Sequence, residues 1–444
     1  MDRRASTSNG RRRGDTLVAH AYVAVHGGAG VHRESTEKEV KQAMKDACIK
    51  AIELSAKTDA SALDMVESAI CVLEDEPHLN AGVGSNLTLD GTVECDAAMM
   101  SGPCHAFGSV GAIPGTKNPI KVARSILEYS AKEDKLGRIP PLTLVSTGAA
   151  SFAKSNGIEP VSPSSLITPE SQSQWKKWKD RLRSPNAIDT TSSPSSPPTT
   201  SFKEKLTIDE VRSPNEMQRR LDESLRDRQD TVGAVAWHPR ERKVVAGVSS
   251  GGMLLKLPGR VGEAGVYGAG CWAQQGESLE GNHEIGVACS VSGTGEHIMR
   301  AQLARTIGER VFTALQARSA HEDEPTKDEA DNEDEDDDFD EDIEHDPLDP
   351  HTILEQTLGK EFWETFRKEG ELSPSAGVLL MTREVDRNGE CLVRLWCAFT
   401  TPSMAIGYAS PKHPRPKTMI LRHPDAGSTR CGERPRMYIT SVLL

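Results

Sequence analysis

Hydrophobic positions change period several times along the chain, and each change predicts an element. Ala21 to Val25 leads into His26-Gly27-Gly28-Ala29-Gly30, which reads as a strand running into a tight glycine turn. Glu37 to Lys57 and Asp59 to Leu73 read as helices, the second with Leu63, Val66, Ile70 and Leu73 at helical spacing and Asp59 as N-cap. Thr92 to Met100 is small or apolar nearly throughout, as in a strand covered on both faces. Pro119 to Ser130 reads as a helix with proline in its first turn, and Leu142 to Val145 as a short strand. Thr231 to Trp237 and Lys243 to Ser249 alternate around His238-Pro239-Arg240-Glu241-Arg242, which predicts a hairpin. Ile285 to Val291, Val378 to Thr382, Cys391 to Phe399 and Met404 to Tyr408 read as strands, and Gly295 to Ser319 and His351 to Phe366 as helices. Antiparallel runs of strands with helices grouped between them are an α+β layered pattern, not βαβ alternation.

Composition divides the chain further. From Glu159 the sequence turns rich in Ser, Pro and Thr, so 159–230 reads as a flexible linker, with room for a helix at Ser213 to Arg228. The formal charge is −13, yet residues 321–346 hold seventeen acids against Lys327 and alone carry −16. The acidity therefore belongs to one insert that cannot build a core, and the rest of the chain is slightly basic. The insert lacks the D-x-D-x-D-G spacing of an EF-hand loop. No apolar run approaches the roughly 20 residues of a spanning helix, so no membrane role is expected. Nine cysteines without a CxxC pair argue against a disulfide scaffold or zinc ribbon and for a reducing compartment. Residues 1–20 are basic and read as disordered, not as a signal peptide. Arg11-Arg12-Arg13 and the stretch Lys176 to Arg183 are candidate nuclear-import signals, equally readable as solvated surface. A nuclear or cytoplasmic, non-secreted protein is expected. Trp175 and Trp178 beside lysines have no nucleic-acid motif around them, and no nucleic-acid partner is expected.

The most informative junction is Asp230-Thr231-Val232-Gly233, where the linker ends and a strand begins. If the Asp230–Thr231 bond is cut, Thr231 becomes a new N-terminus. Its hydroxyl is then a nucleophile, and its α-amine, with an ordinary pKa of about 7.7–8.0, a general base. On propensity alone, a Thr opening a strand is an ordinary strand residue.

Resemblance sharpens this. HGGAG at 26–30, NAGVGSNLTLDGTVECDA at 80–97, DTVGAV at 230–235, SSGGM at 249–253, PGRVGEAGVYGAG at 258–270 and SGTGEH at 292–297 resemble the type 2 asparaginase family of N-terminal-nucleophile hydrolases, in order and spacing. YGAGCWA at 267–273, TTPSMAIGY at 400–408, Asp230 before the nucleophile and the long preceding segment are more similar to the family's threonine aspartase (taspase) branch, endopeptidases that cut after Asp. The resemblance implies a four-layer αββα sandwich. It implies an α-subunit core at 21–158 and a β-subunit at 231–444, the mature protein being a homodimer of such αβ pairs. It makes Thr231 the nucleophile and Ser250 the second hydroxyl beside it. Ser292 and Gly293 match the pair that forms the oxyanion hole. Arg260 matches the arginine that holds a substrate carboxylate. Glu263 stands where asparaginases carry an Asp for the substrate's free amine, which leaves an isoaspartyl peptidase or asparaginase reading open. His26-Gly27-Gly28 matches a supporting turn under the site. No cofactor or side-chain metal site is implied; in some relatives the loop around Leu73 to Asn80 holds sodium through backbone carbonyls, which side chains do not show here. The expected activity is cleavage of protein substrates with Asp at P1. The rivals are a small-molecule asparaginase and a non-catalytic protein binding through its acidic insert.

Overall fold

The computed structural model describes residues 21–183, 231–277, 284–321, 346–371, 374–385, 390–424 and 437–444. The basic N-terminus at 1–20, Asp230, the expected helix at Ser213 to Arg228 and most of the acidic insert lie outside these residues.

Two sheets carry the molecule. The first holds β1 (Tyr22–Gly30), β2 (Glu94–Ser101), β3 (Ala106–Pro114), β4 (Thr143–Val145), β5 (Val232–His238), β6 (Lys243–Ser250), β11 (Ser403–Ala409) and β12 (Lys417–Arg422), in the order β12-β11-β1-β5-β6-β2-β3-β4. All its pairs are antiparallel except β3 with β4. The second sheet holds β7 (Cys271–Glu277), β8 (Glu284–Gly293), β9 (Ala376–Val385), β10 (Cys391–Phe399) and β13 (Tyr438–Leu443), in the order β13-β10-β9-β8-β7. The chain is thus a mixed α/β structure of helices and two sheets.

Strand alternation explains the packing. In β5, Val232, Ala234 and Ala236 share one apolar cluster with α1 (Glu37–Ser55), α2 (Ala62–Glu74) and α3 (Pro119–Ser130). Val235 and Trp237 point the other way, into a cluster with Val287, Val291 and Leu380 of the second sheet. That second cluster extends to Leu303, Ile307, Val311 and Leu315 of α7 (Leu303–His321). The helix α2 sits so close to β6 that a Cβ on Gly247 would meet Val66 Cγ1 at 2.7 Å and Ile70 Cδ1 at 2.8 Å.

Four sequence expectations are corrected. The helix α2 is capped by Ser61, which forms a capping box with Asp64, so Asp59 is not its N-cap. His26-Gly27-Gly28 is no turn: β1 runs through to Gly30 with a bulge between His26 and Ala29, and Gly28 takes φ 102°. The helix expected over 295–319 is two helices, α6 (Gly295–Ala301) and α7, because Gln302 adopts the left-handed conformation. The linker does not begin at Glu159: Pro163–Leu166 forms a short turn and Pro169–Arg183 a helix, α5. Leu166 and Trp178 are buried there, Trp175 Nε1 donates to Thr88 O at 2.8 Å, and Lys179 Nζ donates to Leu89 O at 2.8 Å. No helix among the described residues is long and apolar enough to cross a membrane.

Candidate active site

The hairpin of β5 and β6 brings the two predicted hydroxyls together. Val232 pairs with Ser249 across the ladder, so Thr231 and Ser250 meet just past it, with their oxygens 3.2 Å apart. Both side chains are buried. Thr231 Oγ1 also lies 2.6 Å from Glu263 Oε1. A threonine hydroxyl has one proton, and the shorter contact takes it when Glu263 is ionised. Ser250 then donates to Thr231 Oγ1 and itself accepts from the Gly252 N–H at 3.0 Å.

Two asparagines hold the loop that follows Ser250. Asn80 Nδ2 and Asn86 Nδ2 each donate to Gly252 O at 2.9 Å, and Gly251 N donates to Asn80 O at 2.7 Å. Further on, Gly262 N donates to Asp96 Oδ2 at 2.9 Å, while Asp96 Oδ1 accepts from Ala112 N at 2.7 Å. The carboxyl of Asp96 therefore ties the Arg260–Glu263 segment to β2 and β3. Burial raises its pKa, and the charge of buried Lys256 opposes the rise.

Glu263 is buried, and burial pushes its pKa up to about 7. The negative charges of Asp96 and Glu296 act in the same direction, and the hydrogen bond from Thr231 opposes them. Arg260 is part-exposed; its Nε donates to Glu296 Oε1 at 2.8 Å and its guanidinium touches Met253 Sδ. Thr231, Ser250, Arg260, Glu263 and Gly293 all line one cleft, together with Asp96, Met253 and Glu296. Among the described residues, no group of three or more His, Cys, Asp or Glu is arranged to hold a metal ion.

The remaining predicted residues lie behind the cleft. Ser292 Oγ accepts from Ala29 N at 3.1 Å, so of the Ser292–Gly293 pair only Gly293, at φ 145°, borders the cleft. His26 is fully buried, with Nε2 2.8 Å from Ser290 Oγ, and Ser290 donates to Gly247 O at 3.0 Å. Burial depresses the His26 pKa to about 3, so the ring is neutral and braces β1 against β8. Asp230 lies outside the described residues. Asp96, Asn80, Asn86 and Glu296 were not singled out from sequence, although each falls inside a motif quoted above. Asp96 carried the clearest signal, a lone acid in the small and apolar run Cys95-Asp96-Ala97-Ala98-Met99.

The asparaginase family model (Asparaginase_2) matches residues 19–334, which holds the hairpin, the cleft and the loops that line it. The chain belongs to the asparaginase family. Among relatives, the plant-type L-asparaginase of Pyrococcus horikoshii is 38% identical over 299 residues, covering 67% of this chain and 82% of that protein. The isoaspartyl peptidase/L-asparaginase of Bos taurus is 33% identical over 301 residues, covering 68% and 79%. The isoaspartyl peptidase of Escherichia coli is 32% identical over 295 residues, covering 65% and 76%. Family membership makes the protein a hydrolase of the asparaginase and isoaspartyl peptidase kind.

Proposed function

We propose that this family member is a self-processing threonine endopeptidase that cuts protein substrates after Asp. The precursor would divide at Asp230–Thr231 into a 1–230 piece and a 231–444 piece, and two such pairs would form the mature protein. Thr231 Oγ1 attacks the scissile carbonyl, the freed α-amine takes its proton, and the Gly293 backbone faces the oxyanion. Arg260 receives the P1 carboxylate. The αββα layering expected for this class is supported by the two apolar clusters, one between α1–α3 and the first sheet, the other joining both sheets to α7.

The observation that carries the endopeptidase reading is the 2.6 Å contact between Glu263 and the nucleophile. A buried carboxyl already bonded to Thr231 would have to give up that contact to meet the free ammonium of a small substrate. The names of the relatives favour a second reading, an L-asparaginase or isoaspartyl peptidase, in which Glu263 would turn to that ammonium. Two assays separate them. A mass spectrum of purified protein should show two fragments in place of one 48.2 kDa chain, the second beginning Thr-Val-Gly-Ala-Val, and Thr231→Ala should remain whole. Mature protein should cut a peptide after Asp and release little ammonia from asparagine or β-aspartyl dipeptides. Strong ammonia release without peptide cleavage would promote the second reading, and an intact, active wild type would overturn both.

A further inference from the structure

Before the chain is cut, the nitrogen of Thr231 is an amide and cannot serve as a base. The self-processing step therefore needs a proton acceptor that the mature enzyme does not. Several basic or acidic groups lie near, and most are committed. His26 bonds Ser290 through Nε2 and, with its pKa held at about 3 by burial, is too weak a base; Lys256 Nζ donates to Glu94 O, and both oxygens of Asp96 hold backbone N–H groups. Glu263 is different. Its Oε1 lies 2.6 Å from Thr231 Oγ1, and its Oε2 packs where a Cβ on Gly295 would come within 2.5 Å. The carboxyl is walled in by glycine on one side and aimed at the nucleophile on the other.

From this geometry we propose that Glu263 is the general base of self-processing, the group that activates Thr231 while its nitrogen is still in a peptide bond. The inference rests on the N-terminal-nucleophile reading above. The Oγ1–H bond breaks and its proton passes to Glu263 Oε1, while Oγ1 bonds to the carbonyl carbon of residue 230. The C–N bond of the adduct then breaks, and Glu263 returns the proton to the departing Thr231 nitrogen. Water hydrolyses the resulting ester, its oxygen going to residue 230 and a proton restoring the Thr231 hydroxyl. The relay from Gly252 N–H through Ser250 orients the Thr231 lone pairs for the attack. After the cut the freed amine takes over as base, so the carboxyl serves the precursor.

The charged groups facing Glu263 are Asp96 from β2, Glu296 from α6 and, paired with Glu296, Arg260. The titration of Glu263 near pH 7 places the fall in its activity as a base just below neutrality, within the range of an ordinary processing assay.

The test follows freshly synthesised full-length chain over time by gel and mass spectrum, at pH 5.5 to 8.5. Wild-type processing should speed up with pH and level off above about 7. Glu263→Gln keeps the shape and the hydrogen bond, and should process at least about a hundredfold more slowly, the span of a lost general base, with the pH rise gone. Glu263→Ala should be equally slow and regain at least about tenfold in rate with formate but not with chloride at equal ionic strength, because formate restores a carboxylate in the vacated space. A merely structural carboxyl would show no such rescue. Processing of Glu263→Gln at the wild-type rate, or with the wild-type pH profile, overturns the proposal while the nucleophile reading stands. Uncleaved wild type, or cleaved Thr231→Ala, overturns both.

Discussion

Ser249 Oγ donates to Glu74 Oε1 at 2.7 Å, one residue before Ser250. The same Oε1 accepts from Ile120 N at 3.0 Å, so a single carboxyl joins the end of α2, the start of α3 and the strand that delivers Ser250 to the cleft. Glu74 is fully buried, and burial pushes its pKa up to about 8 despite those hydrogen bonds.

The raised value makes stability depend on pH. Between about 4.5 and 8 the folded protein holds a proton that the unfolded chain releases, so stability falls as pH rises through that window. Glu74→Gln mimics the protonated form and removes the dependence. The variant should match the wild type near pH 5 and exceed it by roughly 2–4 kcal/mol near pH 8, read from urea midpoints at each pH. The Glu263 carboxyl, raised from 4.5 to about 7, adds slope of the same sign, so the comparison belongs between wild type and variant at one pH. Equal stability of the two proteins at pH 8 would mean that the fold does not raise the pKa of Glu74.

A second prediction concerns the approach of the two sheets. A Cβ on Gly233 would lie 2.1 Å from Ser290 Oγ and 2.4 Å from His26 Nε2, both fully buried and bonded to each other. Gly233→Ala should cost about 3 kcal/mol or more by overpacking and displace the neighbouring Thr231, lowering self-cleavage with it. Gly148, exposed in the helix Ser146–Ser155 with open space where a Cβ would go, is the control. Gly148→Ala should stabilise by about 0.5–1 kcal/mol. Thermal melts of the two variants against wild type decide it.

Much of this arrangement was legible because it is local. The hairpin from Val232 to Ser250 follows from two strand-like runs flanking His238-Pro239-Arg240-Glu241-Arg242, and its register sets which hydroxyls meet at its open end. The motif resemblance then identified Thr231, Ser250, Arg260 and Glu263, and the cleft brings all four together. Contacts made across long sequence separations were hidden. Nothing in periodicity says that Asp96 holds Gly262, or that Glu296 holds Arg260. The strands β3, with Gly108 and Gly111, and β7 lack a clean period, and β12 and β13 fall beyond the resemblance. The helix α5 was lost in a Ser- and Pro-rich composition, although Trp175 and Trp178, three apart, marked its inward face.

The acidic insert gives a third prediction. The cluster packed on α7 is built from Leu303, Ile307, Val311 and Leu315, all before residue 321. Net −16 within 26 residues, with Phe339 and Ile343 as its large apolar side chains, offers that core little to bury. Replacing 322–345 by a short Gly-Ser linker should leave self-cleavage unchanged and stability within about 1 kcal/mol, since halving a loop changes closure entropy by only about 0.6 kcal/mol. Loss of soluble, processed protein on that deletion would make the insert structural.

The last prediction separates the two charges at the mouth of the cleft. Arg260 and Glu296 are paired, yet their side chains remain 33% and 46% exposed. A pair that open to water is worth less than about 1 kcal/mol, so an incoming carboxylate can displace Glu296 at small cost. Arg260→Ala, in contrast, removes the guanidinium that the P1 Asp needs, and should lower kcat/KM on an Asp peptide at least about a hundredfold, roughly 2.7 kcal/mol. Changing the peptide's P1 Asp to Asn should lose a comparable factor with wild-type enzyme, because an amide cannot accept the bidentate charge-assisted pair. The two losses should not add: Arg260→Ala should treat Asp and Asn peptides nearly alike, since each change removes the same contact. Glu296→Gln should shift kcat/KM by less than about fivefold and keep the preference for Asp. A kinetic series over the three enzymes and two peptides reads all of this at once. Full additivity of the two losses would place the P1 carboxylate on some group other than Arg260.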